Sequence, residues 1–236
     1  MIPSLVLASS AAVAPLELVL RSSDGVSLGA TYYGSSQGDA RSGLLLLPML
    51  GDARSSWADF AARASAAGVA VLTLDPRGHG ASGNPYGSPP AAWGPAEWRA
   101  VVEDARAGLR ELEARGVPAG RVIAAGASIG ASAALHLAAS EPSVAGAALL
   151  SPGDNAARLP ASTALEGYGK RHLFIGVGSE DGPFVEIARR LSRAAAGSTE
   201  FHEQRGPAHG TGLLDGPDGQ RLGGHLLRFV QEAPGR

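Results

Sequence analysis

The sequence has no cysteine, which removes disulfides, thiolate zinc sites and a cysteine nucleophile together. Charge is also sparse. Only 18% of residues are Asp, Glu, Lys or Arg, and the formal net charge is -2, so no global field draws nucleic acid or an anionic membrane surface. Aromatic residues make up 5%, with neither a basic run nor an array of stacking rings, which argues against a nucleic-acid partner. Lys170 is the lone lysine beside many arginines, a bias that reads as genomic base composition. There is no His-Glu-x-x-His run and no carboxylate cluster, so neither metal nor cofactor is expected. No apolar stretch is long enough to span a bilayer.

What remains is a glycine- and alanine-rich chain of 236 residues, 44% apolar, long enough for one well-buried core. Residues 1–14 (MIPSLVLASSAAVA) end in Ala12-Val13-Ala14, the small-x-small form of a signal-peptidase site. The positive n-region is missing, because no Lys or Arg precedes Arg21. We read this segment as the remnant of an export signal in preference to a loose tail. That leaves location open between exported and cytoplasmic.

From residue 15 onward strand-like and helix-like stretches alternate. Leu16–Arg21 and Val26–Tyr33 alternate apolar and polar residues about Asp24-Gly25, the pattern of a hairpin. Leu44–Leu47, Val69–Leu74, Val122–Ala125, Ala145–Leu150, Leu173–Val177 and Thr199–Gln204 read as strands, most of them buried on both faces. Helices are expected at Ser55–Ala67, Glu97–Arg115, Ile129 to about Ser140, Phe184–Ala195 and Gln220–Glu232. The clearest is Glu97–Arg115, whose Trp98, Val101, Val102, Ala105, Leu109 and Leu112 recur at three- and four-residue steps. This order implies one α/β domain over 15–236, a mostly parallel sheet between helix layers with an antiparallel edge. Ligand chemistry in such sheets gathers just beyond the carboxyl ends of the strands.

Gly126-Ala127-Ser128-Ile129-Gly130 fits G-x-S-x-G, and so does Gly34-Ser35-Ser36-Gln37-Gly38. In so glycine-rich a chain about 0.4 chance matches are expected, so the pentapeptide alone decides little. Context separates the two. Ser128 follows a strand and opens an apolar helix, as a nucleophile at a tight elbow requires, whereas the other copy sits in a polar loop.

Around this serine the chain resembles the α/β-hydrolase family, of the serine esterase and lipase kind with a minimal cap, over nearly its whole length. Leu74-Asp75-Pro76-Arg77-Gly78-His79-Gly80-Ala81-Ser82 is similar to the family's D-x-R-G-H-G-x-S loop. Gly178-Ser179-Glu180-Asp181 resembles the turn holding its acid, and Ala208-His209-Gly210 the loop carrying its catalytic histidine. The resemblance implies a three-layer α/β/α sandwich with a predominantly eight-stranded sheet. It also implies a triad of Ser128, His209 and Asp181 in the family's chain order. Asp154, after the strand ending at Leu150, is the rival acid, while Asp75, Asp104 and Glu180 read as structural or solvated. Of the other histidines, His136 and His225 fall in helices, His202 within a strand, His172 just before one, and His79 in the Arg77 loop.

The resemblance further implies an oxyanion hole made by the N–H of Ile129 and one from Pro48-Met49-Leu50-Gly51, with Leu50 first and Met49 next. The family commonly has His-Gly where this chain has Pro48-Met49, a departure that alters the loop without removing a donor. Trp57 is expected in the core near this loop. Only Pro152–Arg171 is available as a cap, with one short helix near Leu159–Tyr168, so the site should be open. Tyr86 and Trp93 are candidates for the pocket mouth, or equally for anchors of a proline-rich loop. The implied activity is hydrolysis of small carboxylic esters through an acyl-enzyme. A thioesterase, peptidase or acyltransferase on the same site, or a non-catalytic binding protein, are the alternatives.

Overall fold

The computed structural model describes residues 14–38 and 40–233; the proposed leader at 1–14 falls almost wholly outside them. Eight strands form a single sheet: β1 (Leu16–Arg21), β2 (Ser27–Tyr33), β3 (Ser42–Leu47), β4 (Val69–Leu74), β5 (Val122–Ala127), β6 (Gly146–Leu150), β7 (Leu173–Gly178) and β8 (Thr199–Gln204). Their spatial order is β1-β2-β4-β3-β5-β6-β7-β8. β2 runs antiparallel to both β1 and β4, and every other neighbouring pair is parallel. The hairpin therefore supplies the antiparallel edge that its alternation predicts.

Side-chain alternation assigns the two faces. Leu45, Leu47, Leu72, Leu74 and Ala124 point into one core with α2 (Pro95–Ala114), α3 (Ile129–Ser140), α4 (Ala161–Tyr168) and α5 (Pro183–Ala194). Leu44, Leu46, Val69, Val71 and Ile123 point into the other with α1 (Ala58–Ala66) and α6 (Gly216–Glu232). Strands β3 to β7 are buried along their whole length because helices cover both sides, which explains their unbroken apolar runs. The layers are those of the expected sandwich.

Helix limits follow local chemistry. α2 starts at Pro95, with the Glu97 carboxylate accepting the Gly94 N–H at 3.1 Å, and it stops one residue before Arg115. Gly116, at φ +87°, then turns the chain with its N–H on Glu113 O. The expected helix at Ser55–Ala67 divides into a 3-10 turn, Arg54–Trp57, followed by α1. Its entry is held by Asp75, which accepts the Arg54 N–H at 2.6 Å.

Candidate active site

Ser128 stands between β5 and α3 at φ 52°, ψ -116°. A non-glycine residue in this region costs about 1–3 kcal/mol, so its surroundings must hold it there. They do so in two ways. The Ser128 N–H donates to Leu150 O at 2.8 Å. Glycines on either side let the turn close: a Cβ on Gly126 would lie 2.2 Å from Gly130 O, and one on Gly130 would lie 2.3 Å from Pro48 O. The helix N-terminus under Ser128 favours negative charge at its hydroxyl. The other pentapeptide, Gly34–Gly38, lies in the loop between β2 and β3, where Ser36 Oγ donates to Ser65 O and Ala66 O.

The carboxyl ends of β6, β7 and β8 converge next to this turn. Asp181 follows β7 and is buried; His209 follows β8 with its side chain 31% exposed. His209 Nδ1 bonds the carboxylate at 2.9 Å to Oδ1 and 3.0 Å to Oδ2. Gly210, at φ +56°, packs so closely that a Cβ there would meet Met49 Sδ at 2.8 Å and Ala127 Cβ at 3.3 Å. That contact sets the histidine loop against the residue preceding Ser128. The Phe184 ring lies 4.3 Å from the imidazole, centroid to centroid.

A further residue joins the group. Ser151, directly after β6, is fully buried and adopts φ 49°. Its hydroxyl donates to Asp181 Oδ2 at 2.6 Å and accepts the Gly210 N–H at 3.0 Å, so one side chain ties the Asp181 carboxylate to the His209 loop. Its N–H donates to Gly176 O at 2.8 Å, pinning the unusual backbone.

The rival acid is engaged elsewhere. Asp154 Oδ1 accepts the Ser162 N–H at 2.9 Å and its hydroxyl at 2.7 Å, and Oδ2 pairs with Arg190 at 2.5 Å. Burial pushes this carboxyl up, but the Ser162 and Arg190 contacts outweigh it and hold Asp154 below the ordinary range. It makes no bond to His209.

Tyr86 and Trp93 are not brought to Ser128. The Trp93 ring is buried against Trp98, its Nε1–H donates to Ser88 O at 3.0 Å, and Tyr86 stacks edge-on against it at 5.1 Å. Tyr86 Oη also accepts from Arg77 at 3.1 Å. These rings anchor the proline-rich loop. Arg77 itself is buried on Asp104 and Asp24, and the carbonyl of Arg77 meets His79 Nδ1 at 3.0 Å. The Asp75–Ser82 loop is thus a structural brace. Trp57 is fully buried, and its Nε1–H reaches Leu47 O at 3.1 Å, just behind the Pro48-Met49-Leu50 loop. The N–H groups of Met49, Leu50 and Ile129 donate to no acceptor among the described residues.

Ser128 and Ile129 open onto a cleft of about 480 Å³, walled by Leu159, Pro183, Phe184 and Ile187, with Asp154 and Arg158 at its polar side. A wider concavity of about 790 Å³ between α1 and the start of α6 contains neither Ser128 nor His209. Among the described residues no group of three or more His, Asp or Glu is placed to hold a metal, and no helix is long and apolar enough to cross a membrane.

The family described as serine aminopeptidase, S33, matches residues 38–172, more than half of the chain. The chain belongs to this S33 family of α/β hydrolases. The matched segment includes the Ser128 turn and the Pro48-Met49-Leu50 loop and ends before Asp181 and His209. No curated protein matches the sequence. Solved structures match the fold closely. DcsB, determined in complex with its substrate analogue, superposes with a TM-score of 0.79 at 14% identity, covering 94% of this chain and 100% of that one. The Pyrococcus furiosus esterase Pf2001 gives 0.71 at 15%, covering 93% and 91%. A dienelactone hydrolase from Anabaena variabilis gives 0.69 at 16%, covering 93% and 98%. In this S33 hydrolase, sequence reasoning passed over Ser151. Its one signal was a serine standing directly after a buried strand, at the sheet's carboxyl edge.

Proposed function

We propose that this hydrolase cleaves carboxylic esters through an acyl-enzyme. Ser128 Oγ attacks the acyl carbon while His209 Nε2 takes its proton. The alkoxide leaves with that proton, and a water deprotonated by His209 then releases the acid and regenerates Ser128. Asp181 holds the imidazole with Nδ1 protonated and stabilises the cation formed at each step. The N–H groups of Ile129 and Leu50, with Met49 next, are the donors for the oxyanion, a contribution of about 3–4 kcal/mol per donor. The segment Pro152–Arg171 and the start of α5 wall the cleft through Gly153, Leu159, Pro183, Phe184 and Ile187. The observation that carries this reading is the pair of bonds from His209 to the buried Asp181, in a loop packed against the strained Ser128 turn.

Ser128→Ala and His209→Ala should each lower turnover of 4-nitrophenyl butyrate by about 10⁴ or more. Ser128→Ala should also abolish labelling by a fluorophosphonate. Undiminished turnover in Ser128→Ala ends the proposal.

The family's description favours a second reading, removal of N-terminal residues from peptides. The cleft's charge speaks against it. A substrate ammonium needs an unpaired carboxylate, and the one carboxylate lining the cleft, Asp154, is held by Arg190. Release of 4-nitroaniline from alanine 4-nitroanilide, faster than ester turnover, would reverse the choice.

A further inference from the structure

Arg158 is half-buried in the wall of the Ser128 cleft and has no ion pair or side-chain hydrogen bond among the described residues. Every other arginine that is not exposed is engaged among the described residues: Arg54, Arg77, Arg106, Arg115 and Arg189 pair with carboxylates, and Arg171 donates to the carbonyls of Val144, Ala138 and Tyr168. The backbone beneath Arg158 is fixed: its N–H donates to Asn155 O at 3.0 Å, and the Ala157 N–H donates to Asn155 Oδ1 at 2.9 Å. Asp154 anchors one end of this turn through Ser162 and Arg190, and buried Leu159 anchors the other. Asp154, the carboxylate that shares this cleft, is therefore already paired, and Arg158 lines the cleft beside Leu159, Phe184 and Ile187 with no carboxylate of its own. A planar fork of donors in such a place suits a carboxylate, which it binds bidentately.

We infer that the substrate carries a carboxylate, bound by Arg158, in addition to the acyl group that meets Ser128. The inference rests on the proposed esterase reading and adds a substrate class to it: half-esters of dicarboxylic acids, or esters whose alcohol bears an acid. A cleft of this volume is on the order of 10 Å across, so the two groups are separated by a short chain.

Two substrate pairs test this and report which side carries the acid. 4-Nitrophenyl hydrogen adipate is compared with 4-nitrophenyl hexanoate, and 3-carboxyphenyl acetate with phenyl acetate. In at least one pair kcat/KM should favour the acid, and Arg158→Gln should reduce that preference ratio about tenfold, with Arg158→Lys intermediate. Binding is read separately in the Ser128→Ala protein, where the adipate ester should bind about tenfold more tightly than the hexanoate and lose that advantage on adding Arg158→Gln. Ratios within twofold of the parent in both pairs, together with equal binding of the two esters, overturn the inference and leave the esterase reading intact. Undiminished turnover in Ser128→Ala defeats the esterase reading instead, and the binding comparison then still decides whether Arg158 holds the anion.

Discussion

Replacing Ser151 by alanine removes two bonds with one atom. The hydroxyl donates to the Asp181 carboxylate at 2.6 Å, a charge-assisted bond of about 1.5–3 kcal/mol, and it accepts the Gly210 N–H at 3.0 Å. Ser151 is wholly buried, so no water replaces either partner, and a stranded N–H costs about 1–3 kcal/mol. Allowing for overlap between the two, Ser151→Ala should lose about 2–4 kcal/mol of stability. For a chain of this length that lowers the melting temperature by about 10 °C. The φ of 49° adds a control, because alanine keeps the strain and glycine relieves it. Ser151→Gly should therefore recover about 1 kcal/mol relative to Ser151→Ala. Turnover should behave differently. Both variants loosen Asp181 and the histidine loop alike, so both should lose about tenfold in kcat with little change in KM, far less than the roughly 10⁴ expected for Asp181→Asn. Calorimetry and ester kinetics on the same samples separate the two effects. If kcat recovers in Ser151→Gly along with stability, the hydroxyl is not positioning the acid. If Ser151→Ala matches the parent in both, the two hydrogen bonds contribute nothing.

Three other perturbations probe the frame. Asp104→Ala leaves buried Arg77 without the carboxylate that accepts its N–H, Nε and Nη2 at 2.8, 2.9 and 2.7 Å; urea unfolding should show a loss of about 3–5 kcal/mol, and a loss below about 1 kcal/mol would contradict the buried pairing. Gly130→Ala drives a Cβ into the Pro48 and Leu47 carbonyls, whereas Gly116→Ala meets open space and bears only the strain of φ +87°, about 1–2 kcal/mol. The first should therefore melt much lower than the second, and the reverse order would refute the close approach of α3 to β3. Burial lowers the His136 pKa from 6.5 despite its 2.9 Å bond to Pro160 O. The unfolded chain then takes up this proton first, so His136 contributes stability above about pH 6.5 that disappears as pH falls through its folded value. His136→Gln keeps a donor without titrating, and its melting temperature should decline less steeply from pH 7 to pH 5. An unchanged slope would remove His136 from that dependence.

The architecture was readable from the chain because burial on both faces leaves no freedom of pattern. Leu44–Leu47 and nearly all of Val69–Leu74 are apolar because they lie in a parallel sheet between helix layers, while Gly126 must be small for α3 to close on β5 and Gly130 for it to close on the end of β3. Ser128 and its setting were legible for the same reason, since a strand, a tight turn and a helix are contiguous in sequence. Contacts between distant segments were not. Asp154 and Asp181 each follow a strand, and along the chain strand position alone favours Asp181; the fold commits one to Ser162 and Arg190 and the other to His209. Along the chain Tyr86 and Trp93 suited a pocket mouth and an anchor of the proline-rich loop equally well, and packing places them against Arg77 and Trp98. Ser151 and Arg158 carry no motif. One has meaning because β6 ends beside β7, which holds Asp181 at its end, the other because Asp154, the carboxylate that shares its cleft, is already held by Arg190. Sequence determined which residues are able to do chemistry, since residue type and local turn are encoded along the chain. Tertiary structure decided which of them meet, because pairing across 28 and 59 positions depends on how the strand ends are ordered in the sheet.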